Sequence, residues 1–348
     1  MKTSALLLCS AVSALAAGRF SQSEPPKLPR AAVPHLAEAG VARPAAGVAA
    51  PEAAKGSVGG MAEALPGENG QAGQPAPPAA LLTPQPTKRP HDPAALERLL
   101  AKVSEAAANA GETGKRPIVL FDLDDTLTDS GARNLRILRE FLEQSSVRAA
   151  YPGDAARLGS SLSLSKMRYY YSDTFAEAGV DNPKMLAELQ SFWKERFFTT
   201  EYIPEDPAAP GAVEFIAEVR RRGGVIVYLT GRWSAGPKGS MEPGTLAGLA
   251  KTGLPAPDGK DVVLVMKPND TQPDAEFKDR ALLDIGAQGA VVGGFENEPK
   301  NINVFKSRFP DGVFIFLDTK TAAEKDPATG KPIDTADGVA WVADFLRH

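Results

Sequence analysis

Four short stretches of this 348-residue chain carry residue types suited to chemistry, each close to an apolar run. Pro117-Ile118-Val119-Leu120-Phe121 ends at Asp122-Leu123-Asp124-Asp125-Thr126. A carboxylate is already ionised at pH 7 and needs no base to act as a nucleophile, while a second carboxylate can carry proton transfers. Asp122 and Asp124, two apart on a chain leaving a strand, can also converge on one cation. Val225–Leu229 leads into Thr230-Gly231-Arg232, where a hydroxyl next to a close-approaching glycine suits phosphate oxygens. Two ammonium groups could neutralise a bound phosphoryl group: Lys278, early on a helical stretch, and Lys267, after the run Val262–Met266. The fourth stretch is Gly293-Gly294-Phe295-Glu296-Asn297-Glu298-Pro299-Lys300-Asn301, whose Glu and Asn oxygens are acceptable ligands for a hard cation such as Mg²⁺. Taken singly, an acidic turn, a Thr-Gly turn and a helical Lys are ordinary features. Their shared placement at or near strand ends, in the order a single cleft needs, is what joins them.

The elements that must position them alternate. Asp92-Pro93 opens a helix with Leu96, Leu99, Leu100 and Val103 at helical spacing, ending near Gly111. Residues 117–121 read as a buried strand and 130–200 as mostly helical. Then follow helix 211–222, strand 225–229, an apolar run at 261–266, helix 274–285, strand 289–293, a helix near 299–308, strand 313–317 and a closing helix from 335. This order predicts an α/β fold: a Rossmann-like parallel sheet with helices on both faces, plus a small, mostly helical insertion. In such a sheet ligands bind beyond the carboxyl ends of the strands, where the acids stand. Gly111-Glu112-Thr113-Gly114-Lys115 imitates a P-loop, but it precedes a strand and Arg116 stands in place of the hydroxyl.

Composition narrows the chemistry. Cys occurs once, at Cys9, and His three times, at His35, His91 and His348. Cys-based zinc sites and intramolecular disulfides are excluded, and little room is left for Ser-His-Asp or Cys-His catalysis. The chain has 39 basic and 43 acidic side chains and a pI near 5.6, which argues against nucleic acid or anionic membrane as a partner. Met1-Lys2, an apolar run and Ala14-Leu15-Ala16 form a secretory signal pattern over residues 1–17, too short to span a membrane. Cys9 follows the bulky Leu8 inside the run, against lipoprotein anchoring. The expected location is therefore periplasmic or secreted. Residues 18–92 are rich in Pro, Ala and Gly, with Phe20 as their one aromatic, and read as a disordered linker whose partner the sequence does not name. A domain over 93–348 remains.

This constellation resembles the haloacid dehalogenase (HAD) superfamily, most of whose members are phosphatases, over roughly residues 115–318. Asp122-Leu123-Asp124-Asp125-Thr126 resembles its first motif, Thr230 its second, Lys278 its third, and Glu296 with Asn297 or Asn301 its acidic fourth, where the family usually has two Asp. The resemblance implies an exported, Mg²⁺-dependent phosphomonoesterase, acid-phosphatase-like, working on a small phosphorylated substrate through an aspartyl-phosphate. Asp122 would be the nucleophile, Asp124 the acid and base, and Thr230 and Lys278 the phosphoryl stabilisers. Thr126, Gly231 and Arg232 would contact substrate. Asp122, Asp124 (through its carbonyl), Glu296 and Asn301 would hold the metal. Residues 130–205 are placed like the family's helical cap. Lys166, Arg168, Tyr169-Tyr170-Tyr171 and Phe192–Phe198 are tempting substrate contacts there, though aromatics at helical spacing read first as the cap's own core. The alternative is a non-catalytic HAD-like binding protein tethered by its linker.

Overall fold

A computed structural model describes residues 87–347. The signal pattern, His35, most of the linker and His348 lie outside the described residues. Among those described, no helix is long and apolar enough to cross a membrane.

Helix α1 (Ala94–Ala108) and the short α2 (Ala110–Thr113) precede strand β1 (Pro117–Phe121), all five of whose residues are buried. Five helices are inserted after it: α3 (Gly131–Glu143), α4 (Ser145–Ala150), α5 (Pro152–Ser161), α6 (Tyr171–Glu177) and α7 (Pro183–Lys194). The chain continues through α8 (Ala212–Arg221), β2 (Val225–Trp233), α9 (Glu242–Thr252) and β3 (Val262–Lys267). It closes with α10 (Asp274–Gln288), β4 (Ala290–Glu296), α11 (Pro299–Arg308), β5 (Val313–Leu317) and β6 (Ala340–Val342). The six strands form one sheet in the order β3-β2-β1-β4-β5-β6, parallel at every pairing.

Strand side chains alternate between faces, so the continuous apolar runs are what a sheet covered on both sides requires. Val119 and Phe121 join α1 and α8 in one core, with Leu99, Phe215 and Phe295. Ile118 and Leu120 face the other way, onto Phe277, Leu282 and Ile285 of α10 and Ile302 and Phe305 of α11. The inserted helices bury a separate core that includes Leu138, Phe141, Phe175, Leu189 and Trp193, so the aromatics at 171, 175, 193 and 197 serve mainly packing.

Three elements differ from the expectation. In place of a closing helix from 335, residues 340–342 add a parallel edge strand. Val339 and Trp341 face one core and Val342 the other, the alternation of a strand. Helix α9 was hidden by its Pro and glycines. Its Gly244 is packed so tightly that an added Cβ would lie 2.7 Å from the Thr200 backbone. Thr87–Asp92, read from composition as the end of the linker, are held to the fold. Thr87 donates to Asp334 and His91 pairs with Asp318 at 3.0 Å, while the Asp92 amide donates to the Trp341 carbonyl at 2.7 Å.

The order of the strands selects the site. The chain steps from β1 outward to β2 and β3, then returns to place β4 on the other flank of β1. Adjacent parallel strands whose connections leave in opposite directions open a crevice at their carboxyl ends. Asp122 follows the last residue of β1 and Glu296 is the last residue of β4.

Candidate active site

Asp122 and Glu296 are both fully buried, and the ammonium of Lys278 lies between them, 2.7 Å from Asp122 Oδ1 and 2.6 Å from Glu296 Oε2. Lys278 is itself fully buried, one turn into α10, on the face turned to β1 and β4. The second carboxylate oxygen of Asp122, Oδ2, is buried with no hydrogen-bond partner. Burial, then repulsion by Glu296, raises the Asp122 carboxyl well above the ordinary range against the pull of Lys278. Burial also raises Glu296, and the two carboxylates outweigh burial to push Lys278 upward. Glu296 Oε1 accepts from the Glu298 amide at 3.2 Å, and the Asn301 side chain hydrogen-bonds Glu296 as well.

The turn after β1 is fixed independently. Asp125 takes a left-handed φ of 55°, the one positive φ at a non-glycine residue among those described. Its carboxylate accepts from the Ser130 amide at 3.1 Å and hydroxyl at 2.7 Å, and it faces Lys320, which also pairs with Asp129. Thr126 is fully buried, and its hydroxyl donates to Asn297 Oδ1 at 3.0 Å. Thr126, expected at the substrate, therefore braces the first acidic turn against the end of β4. Asn297 is committed to that bond and to the Lys320 carbonyl, so Asn301 is the amide beside Glu296.

Thr230 and Gly231 lie within β2, which runs four residues past the expected end and bulges between Thr230 and Trp233. The Thr230 hydroxyl accepts from the Arg232 amide at 3.2 Å. Arg232 turns its guanidinium onto Asp124, with Nε 3.1 Å from Oδ2 and Nη2 2.7 Å from Oδ1. Lys267, the other candidate ammonium, is buried and bonded to Asp274. The structure thus brings together Asp122, Lys278, Glu296 and Asn301, and separates Lys267 from them.

Asp124 departs from its expected setting. Its side chain keeps 13% exposure where Asp122 has none, yet both oxygens are taken by arginines: Arg232, and Arg133 from α3. Burial alone would raise this carboxyl, but Arg232 and Arg133 together hold it far below the usual range. Arg133 also reaches Asp206 Oδ2 at 3.0 Å, and Arg232 reaches it at 3.4 Å. Asp206 is pushed up to about 7, by burial first. Neither Arg133 nor Asp206 stands at a strand end or in a motif. Asp206 reaches Asp124 only because the insertion returns its chain to β1, with Thr128 bridging to Ala208.

No family model and no curated protein matches the chain. Solved structures similar to it include CbbY from Rhodobacter sphaeroides in complex with phosphate: 18% identity over 66% of this chain and 95% of that one, TM-score 0.36. The class C acid phosphatase from Bacillus anthracis with tungstate bound shows 15% identity over 59% and 62%, TM-score 0.31. A HAD family hydrolase from Deinococcus radiodurans R1, with bound phosphate and sodium, shows 17% over 57% and 80%, TM-score 0.33. At that level of identity and superposition a likeness assigns neither family nor activity, and both rest on this chain's own side chains.

Proposed function

We propose that this chain is a phosphomonoesterase of the haloacid dehalogenase type, exported and Mg²⁺-dependent, with Asp122 as its nucleophile. One observation carries the reading: at the crevice between β1 and β4, Asp122 has one oxygen on Lys278 and the other buried without a partner. A carboxylate so placed is oriented on one side and unsatisfied on the other. Asp122 attacks phosphorus, the bond from phosphorus to the ester oxygen breaks, and Asp124, which must first take up a proton against the hold of its two arginines, passes it to the departing alcohol. The ammonium of Lys278 and the hydroxyl of Thr230 stabilise charge on the phosphoryl oxygens. Water then attacks the aspartyl-phosphate with Asp124 accepting its proton, which returns Asp122 and releases phosphate.

The donor set fits a hard cation. Two buried carboxylates, Asp122 and Glu296, share a single ammonium, and Asp122 Oδ2 lacks a partner. Among the described residues no group of three or more His, Cys, Asp or Glu is arranged to hold a metal ion. The set therefore relies on Asn301 and the Asp124 main-chain carbonyl beside the two acids, while the Asp124 side chain belongs to the arginines. When bound, Mg²⁺ supplies positive charge for the phosphoryl oxygens.

The two-arginine hold on Asp124 favours a second reading, a binding protein that keeps the fold without turnover. Hydrolysis of an aryl phosphate, with Mg²⁺ and after chelation, by wild type and Asp122→Asn separates the two. Turnover lost on chelation and in the variant supports the enzyme. Turnover indifferent to Asp122→Asn overturns its mechanism, and none on a broad panel of phosphate esters favours the binding protein.

A further inference from the structure

Three buried ionisable side chains, Arg133, Arg232 and Asp206, meet the partly exposed Asp124 where the inserted helices leave and rejoin the sheet. Arg133 is fully buried on α3, the first inserted helix. Its guanidinium lies 3.9 Å over the Phe197 ring, and its Nη1 donates to the Phe197 carbonyl at 3.0 Å. Phe197 follows α7, the last inserted helix. The other arm, Nη2, binds both Asp124 and Asp206. One side chain thus touches the beginning of the insertion, its end, the returning segment and the acidic turn after β1.

Charge balance does not require this. Arg232 already engages both oxygens of Asp124, and the second guanidinium is itself balanced by burying Asp206. Such a tetrad is expensive to desolvate, and an apolar replacement of similar volume would commonly be as stable. It is also imperfectly satisfied, since Arg133 Nε and Asp206 Oδ1 are buried without partners. What Arg133 adds is geometry. Arg232 fixes Asp124 to the sheet, and Arg133 fixes the same carboxylate to the inserted helices.

We infer that Arg133 is a positioning residue for Asp124, tying the orientation of that carboxylate to the seating of the inserted helices through Phe197 and Asp206. The inference rests on the phosphomonoesterase reading. Asp124 activates water for both esters in the second step, but in the first step, which kcat/KM reports, a misplaced acid matters only where the leaving group needs a proton. An alkyl phosphate, whose alcohol leaves poorly as an anion, depends on Asp124, whereas a nitrophenyl phosphate largely does not.

The test compares kcat and KM for glycerol phosphate and nitrophenyl phosphate in wild type, Arg133→Met, Arg133→Lys and Phe197→Leu, with thermal midpoints measured alongside. Arg133→Met should lower kcat/KM on glycerol phosphate roughly a hundredfold and on nitrophenyl phosphate by under about fivefold, general acid–base catalysis contributing about 10²–10⁴. Arg133→Lys, which keeps the charge but cannot span Asp124 and the Phe197 carbonyl together, should recover only part of the difference. Phe197→Leu removes the ring without changing any charge and should shift the same ratio in the same direction, so the inference stays testable if Arg133→Met fails to fold. Equal losses of kcat/KM on both esters, or an unchanged ratio of the two kcat/KM values in the folded variants, overturn the inference while leaving the phosphatase reading intact. Wild type inert toward both esters overturns the reading itself, and the inference with it.

Discussion

Replacing Lys278 by Met keeps the apolar stem and deletes the ammonium that joins two strand ends. Asp122 and Glu296, both at zero exposure, would then face each other without a counter-charge. Removing one partner of a buried ion pair costs about 3–5 kcal/mol, and two carboxylates sharing one ammonium place this case near 5. For a domain of this size that corresponds to a fall of roughly 10–20 °C in thermal midpoint. The loss should depend on pH. Both carboxyls are raised in the folded protein, so each contributes stability that is complete below its unfolded value near 4 and is lost as pH rises through its folded value. Lys278 opposes both shifts, and without it the folded values climb further, widening that window. Lys278 adds no pH dependence of its own in this range, because its folded value is raised above an unfolded value near 10.4 and it is charged in both states, so its partners' ionisation sets how much the ammonium stabilises. The variant should therefore be destabilised only slightly at pH 4 and by several kcal/mol at pH 7.5. Urea unfolding followed by tryptophan fluorescence, without divalent cations, reads this through Trp193, Trp233 and Trp341. Equal losses at the two pH values, or a loss below about 1 kcal/mol at pH 7.5, would refute the reasoning.

Lys267→Met breaks a different buried pair, with Asp274, and should cost about 3–5 kcal/mol in urea unfolding while phosphate-ester turnover persists; Lys278→Met should lose both. Thr126→Val strands Asn297 Oδ1 and should cost about 1–3 kcal/mol, with KM for a phosphate ester unchanged because the hydroxyl points into the protein. Gly293→Ala places a Cβ 2.1 Å from the Val313 carbonyl oxygen and 2.6 Å from Leu99 Cδ1. Backbone must move between β4 and β5, so a loss at or above the usual 1–3 kcal/mol of overpacking is expected in thermal unfolding.

The strands β1 to β5 and the acids beside them were legible because both signals are local. A run such as Pro117–Phe121 is apolar at every position, a pattern matching a strand buried on both faces, and the residue types at its end are visible whatever the rest of the chain does. Helix α9 and strand β6 were missed for the opposite reason. The helix carries a glycine at 244 because Thr200 leaves no room for a side chain, and Trp341 is in a strand because it pairs with Phe316 of β5, their ring centroids 4.4 Å apart. Neither neighbour is close in sequence.

The candidate site divides along the same line. Sequence by itself determined which residue types could meet in the crevice: Asp122 and Glu296 at strand ends, Thr230 within β2, and two possible lysines. Only the tertiary structure decided between the lysines, through strand order. Lys267 ends β3, two strands from β1, whereas Lys278 lies on the helix leading to β4, which pairs with β1 directly. It likewise separated Asn301 beside Glu296 from Asn297 bonded to Thr126. Asp124, Arg133, Arg232 and Asp206 form a cluster that no spacing announces, because its members come from the first turn, the inserted helices, β2 and the returning chain. A carboxylate's identity is written in one residue, but its partners, and so the chemistry it can perform, are set by which distant segments the fold buries against it.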